Sequence, residues 1–160
     1  MRVAVGCDHA GFPLKEGVIV LLRELEHSVE DLGTDSTEPV DYPDFARAVA
    51  TAVVSGRCER GIVLCGSGVG ASVAAAKVPG VRAAMCHDTF SARQGVEDDD
   101  MNVISLGARV IGPALAAEVV RAFTSAKFSG AERHVRRLAK INAIEEDARS
   151  GVFDEARRIP

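Results

Sequence analysis

Five times along the chain, a short apolar run gives way to a stretch whose apolar residues fall three or four apart. This alternation constrains the fold more than any other feature of the sequence. The runs span residues 2–6, 28–32, 62–64, 81–86 and 102–106. After the first, Leu14, Val18, Leu21, Leu22 and Leu25 keep helical spacing; after the second, a polar surface stretch (34–43) leads to Phe45, Val49, Ala52 and Val53. Residues 71–77 form the third helical segment, a short helix capped by Asp88 or Thr89 the fourth, and residues 113–126, with proline in the first turn, the fifth. Strands that alternate with helices can pair only in parallel, because each crossover must pass over a sheet face. The chain is therefore expected to be α/β: a three-layer sandwich around a five-stranded parallel sheet, one domain over 1–149. A further helix (131–149) carries a basic stripe, and residues 150–160 read as a surface tail.

In such sheets ligands bind beyond the carboxyl ends of the strands, where strand order reverses. The third unit is the richest there. Ile62-Val-Leu64 reads as a strand buried on both faces, and it ends at Cys65, followed by Gly66, Gly68 and Gly70 and then an alanine-rich helix. Unpaired amides at a glycine-rich bend, together with the helix dipole, make a cradle for an anion or oxyanion. The spacing is neither a P-loop, since no Gly-Lys-Ser/Thr follows, nor Gly-x-Gly-x-x-Gly. A tight strand-to-helix turn needs glycine for its own sake, so it is the side chains at its lip, Cys65 and Ser67, that give it chemical interest.

A formal charge of −4 offers no general field for nucleic acid or an anionic membrane, so any anionic ligand must be held locally. Four cysteines without a CxxC pair read as free thiols of a reducing compartment. With no apolar window of membrane-spanning length and no leader-like start, a cytoplasmic location is expected. A thiol beside an electropositive turn is suited to act as a nucleophile or a general base; the plain alternative is an inert buried cysteine. A thiol hydrolase would recruit His9 or His87, and a metal site would need Cys7, Cys65, Cys86, His9 and His87, without the close ligand pairs that zinc sites favour. Asp8-His9 is either an acid/base or hydroxyl-binding couple or, for Asp8, a helix cap. The loops after the first, third and fourth strands, carrying Cys7 to His9, Cys65 to Gly70 and Cys86 to Asp88, are expected to open on one rim.

Several motifs in order carry a resemblance: Gly6-Cys-Asp-His-Ala-Gly11, Asp41-Tyr-Pro-Asp44, Cys65-Gly-Ser-Gly-Val-Gly70, Ala76-Lys-Val-Pro-Gly-Val-Arg-Ala83, Asn102-Val-Ile with Gly107-Ala-Arg109, and Arg133-His-Val-Arg-Arg137. Over residues 2–148 the chain resembles ribose-5-phosphate isomerase type B, grouped with the galactose-6-phosphate isomerase subunits. The resemblance implies a Rossmann-like fold, a homodimer or dimer of dimers built with the C-terminal helix, active sites at the dimer interface, and no metal or organic cofactor. It also implies aldose–ketose isomerisation of a phosphorylated sugar, foremost ribose 5-phosphate to ribulose 5-phosphate in the pentose phosphate pathway. In that scheme Cys65 moves a proton between C1 and C2, Ser67 assists, and the amides of Gly66, Ser67, Gly68, Val69 and Gly70 stabilise the enediolate. Asp8 and His9 contact hydroxyls, Tyr42 lines the pocket, Asp99 and Arg109 bind substrate, and Arg133 and Arg137, one helical turn apart, grip the phosphate. Some members carry a glutamate in place of Ala71 and lack the thiol, so this chain resembles the cysteine type.

One departure is Asp98, which stands where many members have the histidine credited with opening the sugar ring. Asp98 or His9 is then expected to supply that base. A tetrose 4-phosphate cannot close a furanose ring, so an erythrulose 4-phosphate/erythrose 4-phosphate isomerase is the alternative, with a hexose 6-phosphate enzyme a further one. A reading of a different class is a non-catalytic sugar-phosphate-binding subunit.

Overall fold

The computed structural model describes residues 1–153. In chain order the elements are β1 (Arg2–Cys7), α1 (Phe12–Glu24), β2 (Ser28–Asp31), α2 (Tyr42–Val54), β3 (Arg60–Cys65), α3 (Val69–Ala75), β4 (Ala83–Met85), α4 (Thr89–Asp99), β5 (Val103–Gly107), α5 (Pro113–Ser125) and α6 (Glu132–Arg149). All strand pairs are parallel, in the order β2-β1-β3-β5-β4. This is the expected α/β sandwich. The chain steps outward from β1 to β2 and then crosses back to β3, so strand order reverses between β1 and β3. The register sets Cys7 opposite Leu64 and Cys65 opposite Gly107, which brings the carboxyl ends of β1, β3 and β5 to one level.

The period-two alternation of each strand decides what its side chains face. Val3, Val5, Ile62, Leu64, Ile104 and Leu106 pack with Leu14, Val18 and Leu22 of α1 and Val119, Val120 and Phe123 of α5. The intervening positions, Ala4, Val63, Cys65 and Val103, pack with Ala46, Val49 and Val53 of α2 and Ala71 and Ala75 of α3. Fully buried side chains such as Phe123, Leu22, Ile62 and Leu64 each contribute roughly 1.5–3 kcal/mol by leaving water.

Three local expectations change. The second helix begins at Tyr42, inside the stretch read as surface loop, because Asp41 takes an extended cap conformation and Pro43 suits a first turn. The acidic run does not merely precede the fifth strand: Glu97, Asp98 and Asp99 form the last turn of α4, and Asp100 caps it at φ 51°. Acidic residues oppose the dipole at a helix C-terminus, and here cations and donors offset that cost. Arg93 pairs with Glu97 at 3.1 Å, Gln94 donates to Asp98 at 2.7 Å, and Arg82 reaches Asp100 at 2.6 Å. At the other end of α4, Asp88 accepts from the Ser91 N–H at 2.7 Å, and that bond holds its carboxyl below the ordinary range. Finally, Ser150 caps α6 and residues 151–153 turn away; the rest of the expected tail, 154–160, lies outside the described residues. Among the described residues no helix is long and apolar enough to cross a membrane.

Candidate active site

Cys65 is the last residue of β3 and only 5% exposed, yet it lines a cleft. The chain turns sharply after it: Gly68 sits at φ 85°, a left-handed conformation that strains any side chain but suits glycine, and begins α3. That turn sends the Gly68 N–H back onto Cys65 Sγ at 3.1 Å. Ser67 Oγ accepts from the Val69 N–H at 3.3 Å, and its hydroxyl is exposed. The N–H groups of Gly66 and Ser67 have no protein acceptor among the described residues, which leaves them available to an incoming oxygen.

The loop is fixed from beneath by β5. Ala108 N–H donates to Cys65 O at 2.8 Å, Arg109 N–H to Gly66 O at 3.0 Å, and Ser105 Oγ to Gly68 O at 2.8 Å. Gly107 lets the Ser67 main chain pass so close that a Cβ there would meet it at 2.6 Å. These ties bring the Arg109 side chain across Gly66. Its guanidinium has no ion-pair partner among the described residues.

The opposite wall comes from β1 and α2. Asp8, 6% exposed, accepts from the N–H groups of Ala10 and Gly11 through Oδ1, at 2.9 and 2.8 Å. These bonds close the turn before α1 and do not cap the helix, whose N-cap is Gly11 with no side-chain cap bond, so the capping reading of Asp8 does not hold; Oδ2 has no protein hydrogen bond among the described residues and is left for a hydroxyl. His9 Nδ1 lies 3.2 Å from both the O and the N of Val40. The backbone there can accept from or donate to the ring, so either neutral tautomer is satisfied, and Nε2 has no hydrogen-bond partner among the described residues. Lys15 anchors the segment that brings Val40, donating to Thr34 O at 2.7 Å and pairing with Asp31 at 2.9 Å. Tyr42 covers Gly70 at the mouth.

Together Asp8, His9, Tyr42, Cys65, Gly66, Ser67, Gly70 and Arg109, with Ala10 and Val110, line a cleft of 340 Å³ at the reversal in strand order. Val110 carried no signal in the sequence and Ala10 only its place in the Gly6–Gly11 motif; both are placed by their neighbours. Other expected residues lie elsewhere. Gly68 and Val69 do not line the cleft, since their amides are taken by Cys65 and Ser67. The rim is also narrower than expected. Cys7 and Cys86 are core side chains, His87 Nε2 accepts from the Gly107 N–H at 2.9 Å, and Asp88 caps α4. The sets needed for a metal site or a His87-assisted thiol hydrolase are thus dispersed, and among the described residues no three His, Cys, Asp or Glu side chains converge for a metal.

Asp99 borders a separate cleft of 280 Å³ with Arg82, Met101 and Ile141. Asp98 is held by Gln94 and, at 3.3 Å, by His134 of α6. Arg133 and Arg137 are exposed on α6 and do not line the Cys65 cleft of their own chain. Neither guanidinium is ion-paired among the described residues, in contrast to Arg57, Arg82, Arg93, Arg121 and Arg149. His134, which sequence reasoning passed over, is 4% exposed and donates or accepts at both ring nitrogens. Its place inside the Arg133-His-Val-Arg-Arg137 motif was its only signal.

The sequence profile of the Ribose/Galactose Isomerase family matches residues 3–141. The chain is 43% identical over 145 residues to ribose-5-phosphate isomerase B of Escherichia coli, covering 91% of this chain and 97% of that protein. It is 44% identical over 131 residues to D-erythrulose-4-phosphate isomerase of Pectobacterium atrosepticum, covering 81% and 86%. The solved structure of Clostridium thermocellum ribose-5-phosphate isomerase B superposes with a TM-score of 0.90 at 46% identity, over 92% of this chain and 99% of that one. With the profile spanning most of the chain and these relatives matched nearly end to end, the chain belongs to the ribose/galactose isomerase family of sugar-phosphate isomerases.

Proposed function

We propose that this chain interconverts an aldose and a ketose phosphate, foremost ribose 5-phosphate and ribulose 5-phosphate, with Cys65 as the base. The observation that carries the reading is that Cys65 lines a cleft beside the amides of Gly66 and Ser67, which have no protein acceptor among the described residues. In the aldose-to-ketose direction, the Cys65 thiolate takes the proton from C2 and the resulting thiol returns it to C1. Charge that develops on the enediolate oxygens meets the Gly66 and Ser67 N–H groups and the Arg109 guanidinium, which is where stabilisation of a transition state is most effective. The Ser67 hydroxyl is suited to pass the proton between O1 and O2. Asp8 Oδ2 and His9 Nε2 face hydroxyls, and the two available tautomers of His9 fit it to open a furanose ring.

Arg133 and Arg137 would hold the phosphate of a second copy. Their guanidiniums, without an ion-pair partner among the described residues, support this, as do the exposed Val135, Ile141 and Ile144 on α6, at 49%, 41% and 61% exposure, which a homodimer would cover. No cofactor enters this scheme. Replacing Cys65 with Ala should abolish exchange of the C1 and C2 hydrogens with solvent deuterium while phosphate-ester binding persists; undiminished exchange would remove the thiol from the mechanism.

A second reading, a tetrose 4-phosphate substrate, is favoured by Asp98, whose Oδ2 is held by the Gln94 amide and whose Oδ1 faces His134 at 3.3 Å, so that its carboxylate is poorly placed to open a ring. The D-erythrulose-4-phosphate isomerase relative points the same way. Comparing kcat/KM for the pentose and tetrose pairs on the purified protein decides between them.

A further inference from the structure

We propose that Asp98, Ser129 and His134 act together to aim the Arg133 guanidinium, so that Asp98 serves the phosphate end of the substrate rather than the opening of a sugar ring. The inference rests on the reading of Arg133 as a phosphate ligand.

The hydrogen bonds fix the arrangement in one sense. Arg133 Nε, which can only donate, lies 2.9 Å from His134 Nε2, so that nitrogen must offer its lone pair and the ring proton must reside on Nδ1. Nδ1 in turn lies 2.7 Å from Ser129 Oγ, its hydrogen-bond partner, and 3.3 Å from Asp98 Oδ1, whose negative charge favours an N–H dipole pointed to that side. The carboxylate cannot swing away, because Gln94 Nε2 holds its other oxygen at 2.7 Å. Ser129 is also fixed: its N–H donates to Glu97 O at 2.9 Å, clamping the segment before α6 to the last turn of α4. A histidine with its far nitrogen held by a carboxylate is a familiar means of setting ring orientation and tautomer, here applied to an arginine.

For Arg133, fixing Nε within its own chain leaves both terminal nitrogens without a protein partner among the described residues. Those are the two groups that grip a phosphate in parallel. A guanidinium already held at Nε gives up less side-chain freedom when the anion arrives. Buried among these groups at 4% exposure, His134 has no surface role that would otherwise account for it. The last turn of α4, which opposes the helix dipole, gains a reason as well: its carboxylate is the end of this chain of contacts. His134 and Asp98 are thus positioning residues, acting on the substrate through Arg133.

The experiment measures KM and kcat for ribose 5-phosphate and erythrose 4-phosphate, and competitive inhibition by inorganic phosphate, on the full chain. His134→Ala should raise KM and the phosphate inhibition constant together, by about tenfold, with kcat within about twofold. His134→Gln should recover most of the loss, because its amide oxygen can accept from Arg133 near the position of Nε2. Adding His134→Ala to Arg133→Ala should change nothing further. Should His134→Ala not fold, as judged by circular dichroism, Ser129→Ala carries the same comparison. If Arg133→Ala weakens both constants while the folded His134 and Ser129 variants match the parent, the phosphate reading stands and this proposal is overturned. If Arg133→Ala changes neither constant, the phosphate reading itself fails and the proposal falls with it. An Asp98→Ala variant that loses kcat at unchanged KM would return Asp98 to the chemical step and likewise overturn the proposal.

Discussion

Replacing Gly107 with alanine should disable the cleft without unfolding the protein. A methyl at Gly107 would lie 2.6 Å from both the carbonyl carbon and oxygen of Ser67 and 2.9 Å from its Cα, where ordinary contact begins near 3.4 Å. The obstacle is main chain, so no rotamer change relieves it, and the Cys65–Gly68 turn must retreat by about 0.8 Å. Three hydrogen bonds resist that retreat, from Ala108 to Cys65, from Arg109 to Gly66 and from Ser105 to Gly68. Overpacking of this kind costs about 1–3 kcal/mol, a minority of the roughly 5–15 kcal/mol that holds a domain folded. For a chain of this size the melting temperature should fall by about 4–8 °C in the middle of that range. The amides of Gly66 and Ser67 move with the turn, and a displacement near 1 Å among reacting groups lowers rates about 10²-fold. The assay is kcat/KM for ribose 5-phosphate beside a thermal melt. Gly17→Ala is the control: nothing lies within 4 Å of a Cβ there, and an alanine inside α1 should stabilise by roughly 0.5–1 kcal/mol with kcat/KM unchanged. Full kcat/KM in Gly107→Ala would refute the idea that β5 sets the position of the Cys65–Gly68 turn on which the proposed activity depends.

Three further outcomes follow from the same structure. Burial pushes Cys7, Cys58 and Cys86 up to about 11, from 9.0 in the unfolded chain, and the Glu30 carboxylate adds to the effect at Cys58. The folded state therefore binds more protons between those values. Stability is complete below pH 9 and falls as pH rises towards 11; denaturant midpoints across that window should decline less steeply for Cys86→Ala than for the parent, and identical slopes would contradict the assignment. At Asp100, with φ 51° and its carboxylate on Arg82, Asp100→Gly should destabilise by about 1 kcal/mol less than Asp100→Ala, since glycine adopts that conformation without strain; equal urea midpoints would show that strain there is negligible. Ile144→Glu, at a site 61% exposed in the single chain, should shift the protein to a monomer by sedimentation and abolish turnover, whereas an active monomer would place the whole site within one chain.

The amino-acid order was enough to reveal the layered architecture and most of the residues that line the candidate cleft, because both are local. Period-two strands, period-3.6 helices and a thiol followed by alternating glycines are written within a few residues of one another, and Asp8, His9, Cys65 and Ser67 inherit their positions from strand ends. What distant contacts decide was not legible. The insertion of β5 between β3 and β4 sets Gly107 beneath Ser67 and lays Arg109 over the turn, and no local pattern encodes which strand becomes a neighbour. In the sequence His87 is a candidate partner for the thiol and Asp98, through the resemblance, a candidate ring-opening base; in the fold one accepts from a strand-end amide and the other is held by Gln94 and faces His134. A side chain's type limits the bonds it can form; the partner it meets, and hence its role, is chosen by packing between segments far apart in the chain.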